Sequence, residues 1–355
     1  MSTSINWNAL LLKSLQYHTA GSTVTPNDNT LPDIDKQWLH EALTHNVVNV
    51  QHELQSIIII FNITNSTEAK LFIDLLHTNQ QNFSSRIMEE YNINVVYLQS
   101  LNDLQLLQYI QRLQINILPV LDRYLEDINY SIDYIKLHGC DVLIRQLELH
   151  SSNKQSNNNN SDELVVLLLQ CLSTLLQNNP LAYHTVHRHN PTFHTLVISL
   201  LQSHNLSIIN KTLLCISAYI RNSTDAGVVQ QLVELDLLHK IYTILQYDRV
   251  TERVQIKVYR LLMHCCTVDE SCIYNTVMTQ QIIPYVIQYI HHSIDNIHEI
   301  DVTESILQLL AVLIQSNRNS KEPHYDWKSA KSTLQKLLQS NFGDSDSKQQ
   351  FLQYC

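Results

Sequence analysis

A chain of 355 residues with 44% apolar content can fill one large core or two medium ones, but its 4 glycines and 7 prolines leave little for phosphate loops or tight β-turns. The formal net charge is −10, with 18 histidines counted as neutral, and no basic run offsets it, which argues against nucleic-acid binding. The longest apolar run, Ile57 to Ile63, is too short to cross a bilayer.

The N-terminus MSTSINWNALLLKSLQYHTA has no basic start, long apolar core or small-residue cleavage site, so no secretory signal is expected. FLQYC at the C-terminus is neither an ER-retention nor a peroxisomal signal. None of the seven cysteines forms CxxC, and the pattern suits a reducing compartment. A cytoplasmic location and a monomer, without membrane or nucleic-acid partners, are expected.

In chain order, residues 1–35 read as a flexible segment, with a short amphipathic helix at Trp7–Gln16 and a polar, proline-containing linker. Residues 36–116 read as a helical N-terminal cap with an insertion. Residues 117–340 read as repeats, interrupted by a polar surface loop at 151–162 (SSNKQSNNNNSD), and 341–355 as a C-terminal tail or capping helix. Long helices are predicted over Ile117–Asp133, Glu163–Asn178, Ile208–Asn222, Thr251–Val268 and Asp301–Gln315.

Between these helices a bend followed by a buried helix recurs: IKLHGCDVLIRQL, HRHNPTFHTLVISL, VELDLLHKIYTIL and TQQIIPYVIQYI. The first apolar residues after each bend are Cys140, Phe193, Leu238 and Ile283, spaced by 53, 45 and 45 residues. A period of roughly 40–47 residues filled by helices is the signature of armadillo and HEAT repeats. One such unit cannot bury its own apolar face, so the units must stack. The fold expected is an all-α, right-handed armadillo/HEAT-like solenoid.

Conventional chemistry finds little support. His184, His187, His189 and His194 form a local cluster, but without the i,i+4 spacing or the Cys and carboxylate partners of zinc sites. Cys215, Cys265 and Cys266 sit among Leu and Ile at packing positions, not where a nucleophile would be exposed. No cofactor, metal or enzymatic activity is expected.

The polar sides of the long helices carry more information. Arg253, Lys257, Arg260 and His264 fall at i, i+4, i+7 and i+11, on one helical face. Gln170, Thr174 and Gln177 repeat the pattern on the helix before it but one; Lys211, Ala218, Arg221 and Asn222 do so on the helix between. Asp122, Glu126, Asn129 and Asp133 mark the first long helix, and Glu304, Gln308 and Gln315 the last. Every amphipathic helix has a solvated face, and a stripe on one helix means no more than that. Stacking would align the stripes into one extended concave surface suited to an acidic or polar protein partner.

LLCISAYIRNSTDAG resembles the "AL-SNLIRN" helix end of the cytosolic armadillo-type nucleotide exchange factors of the 70-kDa heat-shock chaperones. LEDINYSIDYIKLHGCDVLIRQLE is similar to their first repeat, "E-(L/M)-DNA-(D/N)-F-KL-GG---L---L". LLQNNPLAYHTV, RVQIKVYRLL, LLLKSLQYHT and DKQWLHEAL match further family segments in the right order, at low identity.

The resemblance implies a non-enzymatic co-chaperone. Its armadillo domain would grip lobe II of the chaperone's ATPase domain, displace lobe I and release ADP, so that ATP rebinds and client leaves. It also implies that the N-terminal segment helps to clear client. By position it places Asn129 at the aspartate and Ser131 at the alanine of the "DNA" turn, Lys211 and Lys257 at basic positions, and Arg221 and Asn222 on "IRN". The sequence departs from the family at NYS for DNA, at Leu237 where a glycine would bend the chain, and over 64–102, which has no counterpart.

The expected partner-binding set is therefore Asn129, Ser131, Gln170, Thr174, Gln177, Lys211, Arg221, Asn222, Arg253, Lys257, Arg260 and His264. The competing reading is a general armadillo adaptor. An import-receptor version would need tryptophan ladders on the repeat helices, whereas the only tryptophans are Trp7, Trp38 and Trp327.

Overall fold

The computed structural model describes residues 50–78, 83–152, 159–223, 225–247, 249–293 and 300–319. The chain divides into two units, Met1–Val50 and Gln51–Cys355, and all that follows concerns the second. The readings for 1–35, for Trp7, Trp38 and Trp327, and for the 341–355 tail lie outside the described residues.

The described residues hold helices and turns and no strand. Residues 51–61 form α1, followed by α2 (Ser66–Thr78), α3 (Ser85–Glu90), α4 (Val95–Ser100) and the long α5 (Asp103–Leu125). Asn102 starts α5 with a capping box: its side chain accepts from the Gln105 N–H, and the Gln105 side chain accepts from the Asn102 N–H.

Three-helix repeats follow. The first is α6 (Ile128–Lys136), α7 (Gly139–Ser152) and α8 (Asn159–Leu176). The second is α9 (Pro180–His189), α10 (Phe193–Leu200) and α11 (Leu206–Arg221). The third is α12 (Ala226–Glu234), α13 (Leu237–Leu245) and α14 (Glu252–Val268). In the fourth, a 3₁₀ turn (Glu270–Tyr274) and a π turn (Met278–Ile282) replace the first helix, ahead of α15 (Ile283–Ser293) and α16 (Ile300–Asn319).

One device opens each repeat. Asp127, Asn179, Asp225 and Asp269 each stand just before the first helix, and each side chain accepts a backbone N–H of its first turn at 2.8–3.2 Å. These caps satisfy donors that a helix start leaves orphaned. The long helices α5, α8, α11, α14 and α16 pack each on the next, so the repeats stack as an all-α solenoid. The core runs between layers through residues such as Leu143, Leu172, Ile216, Leu238, Leu262 and Leu309, all buried.

The structure corrects several expectations. The helix predicted over Ile117–Asp133 is two helices. It begins at Asp103, runs through Pro119 in its interior and stops at Leu125. Burial of Leu113, Ile117, Leu118 and Leu121 around the proline offsets the backbone bond it removes. The expected cap boundary at 116/117 thus falls inside a helix. At the polar segment 151–162, α7 extends through Ser152 and α8 starts at Asn159.

The glycine argument also changes. The bend before α13 is made by Asp236 at φ 77°, and the matching bend before α7 by His138 at φ 63°. Neither needs glycine, so Leu237 costs the bend nothing. Gly139 is required for another reason: a Cβ there would collide with the fully buried Tyr134 ring.

The segment without a family counterpart is tied into the fold by one buried carboxylate. Glu53 on α1, 4% exposed, meets Arg86 at 3.3 Å and accepts from the Tyr124 hydroxyl of α5. The Glu53 charge raises the Arg86 pKa, while burial and the bond to Glu53 raise that of Tyr124. Buried Gln114 and Gln146 donate to the carbonyls of Ile60, Ile63 and Phe61, where α1 ends.

Candidate functional site

The long-helix layer brings part of the expected set together. Lys211 on α11 donates to the Gln170 carbonyl on α8. The Gln170 amide donates to the Thr174 hydroxyl at 3.3 Å, and Thr174 donates to the Asp122 carboxylate on α5 at 2.6 Å. Every donor in this chain points toward Asp122, so the bonds run from a cation to an anion across three helices and reinforce one another.

Next comes α14. Lys257 is half-buried, and its pKa is lowered first by burial and then by the charges of Lys211 and Arg253. His264, also half-buried, is lowered by burial and by Arg221 and Arg260. Helices α11 and α14 pack together, and the cations that act on Lys257 and on His264 come from both of them. Arg253 and Arg260 are exposed, and no ion pair joins them or Lys257 to another described residue.

The remaining expected residues have other places. Ser131 is buried at 2% exposure, not presented for contact. Its hydroxyl donates to the Ile128 carbonyl at 3.0 Å and accepts from Asn179 at 3.2 Å. The helix break at Glu126–Asp127 removes Asn129 and Asp133 from the face that holds Asp122, where their spacing had put them. Asn129 is exposed on the short α6.

Gln177 is exposed one residue beyond the end of α8. Asn222 ties layers together, donating to the Leu176 carbonyl at the end of α8 and to Ala218 at 2.9 Å. Arg221, exposed at the end of α11, donates to the Ser217 carbonyl at 3.3 Å. On α16, Gln308 and Gln315 are exposed and Glu304 is half-buried.

The histidine cluster resolves into packing around one hydroxyl. His187 Nδ1 and His194 Nε2 each lie 2.9 Å from the Tyr219 oxygen, and His187 stacks on Tyr183 with centroids 5.6 Å apart. His184 packs edge-on against Tyr183. Among the described residues no group of three or more His, Cys, Asp or Glu is arranged to hold a metal ion. Cys215, Cys265 and Cys266 are buried, and their pKa values are pushed up: Cys215 by burial, the other two by the Cys272 thiol and then by burial. A thiol so held has little thiolate character.

Sequence periodicity located the α8, α11 and α14 faces. It missed Asp127, Asn179, Asp225 and Asp269, whose recurrence just ahead of apolar helical patterns was an available signal. It also missed Gln114 and Gln146, which nothing local distinguishes from surface glutamines.

No family model and no curated protein matches the chain. Solved structures do. A designed armadillo repeat protein in complex with the peptide (KR)4 aligns at TM-score 0.52 and 15% identity, covering 73% of this chain and 97% of that one. A second designed armadillo repeat protein aligns at TM-score 0.50 and 13% identity, over 69% and 92%. An engineered protein solved by a structural genomics consortium aligns at TM-score 0.52 and 13% identity, over 69% and 90%. The likeness is one of fold: an all-α solenoid of the armadillo type. Among the described residues no helix is long and apolar enough to cross a membrane.

Proposed function

We propose that this chain is a non-enzymatic co-chaperone of the cytosol, a nucleotide exchange factor that docks its long-helix face on the ATPase domain of a 70-kDa heat-shock chaperone. The observation that carries a docking role is the continuous polar face from Asp122 through Thr174, Gln170 and Lys211 to Lys257, Arg253 and Arg260. The chaperone is named by the sequence resemblance, strongest at IRN, where Arg221 and Asn222 stand. In this reading the solenoid acts as a rigid wedge: it holds one lobe of the nucleotide-binding domain, so the lobes separate and ADP leaves. No side chain of this chain need touch the nucleotide.

Stopped-flow release of a fluorescent ADP analogue from such a chaperone tests the proposal. A large acceleration, lost on Lys257→Ala or Arg221→Ala in a folded protein, is the expected result. Absence of acceleration removes the exchange-factor reading and leaves a general armadillo adaptor. For that adaptor, a cationic peptide would meet like charge on α14.

A further inference from the structure

We propose that the α11–α14 face takes an acidic segment of its partner, a run of Asp and Glu side chains laid across Arg253, Lys257 and Arg260. The inference rests on the docking role proposed above and adds the chemistry of what docks. Within a chain of net charge −10, four cations and one histidine gather on two adjacent helices: Lys257, Arg253, Arg260, Arg221 and His264. The same two helices hold a fifth cation, Lys211, but its hydrogen bonds lead through Gln170 and Thr174 to Asp122. Arg253, Lys257 and Arg260 have no such outlet among the described residues.

Gathering like charge on one helix face is unfavourable: Lys257 is half-buried, and its charged form is opposed by burial and then by Lys211 and Arg253. An anionic segment removes the repulsion. Spacing favours an extended segment over a single ion: residues i, i+4 and i+7 of one helix span about two turns, roughly 10 Å, the reach of three to four extended residues. Arg at both ends supplies bidentate donors matched to carboxylates.

The test is fluorescence anisotropy of a labelled octaglutamate peptide on the full chain at low ionic strength, with a (Lys-Arg)4 peptide and an eight-nucleotide oligo-dT as comparators. Saturable octaglutamate binding is expected, weakening as salt rises. In Arg253→Glu/Lys257→Glu/Arg260→Glu it should be at least about tenfold weaker. A charge-matched control, Lys70→Glu/Lys136→Glu/Arg188→Glu, changes exposed cations on other helices and should retain binding. Circular dichroism checks that both variants fold. No saturable binding, equal loss in both variants, or tighter binding of either comparator overturns the proposal.

Acceleration of ADP release from the chaperone, measured with the same proteins, separates the two readings. Release without octaglutamate binding removes the acidic ligand and keeps the exchange factor. Octaglutamate binding without release does the reverse.

Discussion

Thr174 and Asp122 lie on different long helices, α8 and α5, and the Thr174 hydroxyl donates to the Asp122 carboxylate at 2.6 Å. This contact anchors the chain of bonds that begins at Lys211, so the face is braced before any partner arrives. Thr174→Val keeps the side chain's shape and removes the donor. It should destabilise the fold by about 1–2 kcal/mol, since a bond to a charged, half-buried acceptor is lost. Urea denaturation of the variant and of Asp122→Asn measures it, and equal midpoints for all three proteins would show the bond to be inert.

Asn222 was expected to meet a partner, but it bonds the Leu176 and Ala218 carbonyls. Asn222→Ala should therefore lower stability by about 1–2 kcal/mol, because a helix-end carbonyl loses its donor. Arg221→Ala, at an exposed position, should change stability by no more than about 0.5 kcal/mol. Thermal melts of the two variants side by side distinguish a structural asparagine from a contact arginine.

Tyr219 bridges His187 and His194 with one buried hydroxyl. Tyr219→Phe leaves both imidazoles short of a partner and should cost about 1–2 kcal/mol. Chemical denaturation at neutral pH is the measurement.

The pH dependence follows from three half-buried histidines. The pKa values of His150, His194 and His264 are all lowered, in each case first by burial. Below the ordinary value of about 6.5 the unfolded chain takes up protons that the folded chain resists. Stability from this source is full above that pH and is lost as pH falls through the folded values. Urea midpoints should drop between pH 7.5 and pH 5, and His194→Gln should flatten the drop. An unchanged slope would remove His194 from the account.

Gly139 and Tyr134 predict opposite signs. Gly139→Ala forces a Cβ into the Tyr134 ring and should cost about 1–3 kcal/mol or more. The Tyr134 hydroxyl is buried and finds no hydrogen-bond partner among the described residues, so Tyr134→Phe should be neutral or stabilising by about 1 kcal/mol. Differential scanning fluorimetry on both variants suffices.

Much of the architecture was legible because it is local. Apolar residues at helical spacing define α8, α11, α14 and α16 to within a few residues at each end, and the anchors Cys140, Phe193, Leu238 and Ile283 mark the start of α7, α10, α13 and α15. The site was only half legible. Arg253, Lys257, Arg260 and His264 share a face because they share one unbroken helix, which spacing alone reveals. Asn129 and Asp133 leave the face of Asp122 because a helix break at Asp127 undoes any face drawn across it, and Ser131, placed by the resemblance, is buried.

The sequence by itself determined the period, the helices and the charge on each face, since these depend on neighbours three to seven residues away. Only the tertiary structure decided which polar groups are already bonded. Gln170 and Lys211 read alike as surface residues, yet stacking joins them to Asp122, while Arg253 and Arg260 keep their charge exposed. That difference arises between helices some 40–50 residues apart, where local periodicity carries no information about partners.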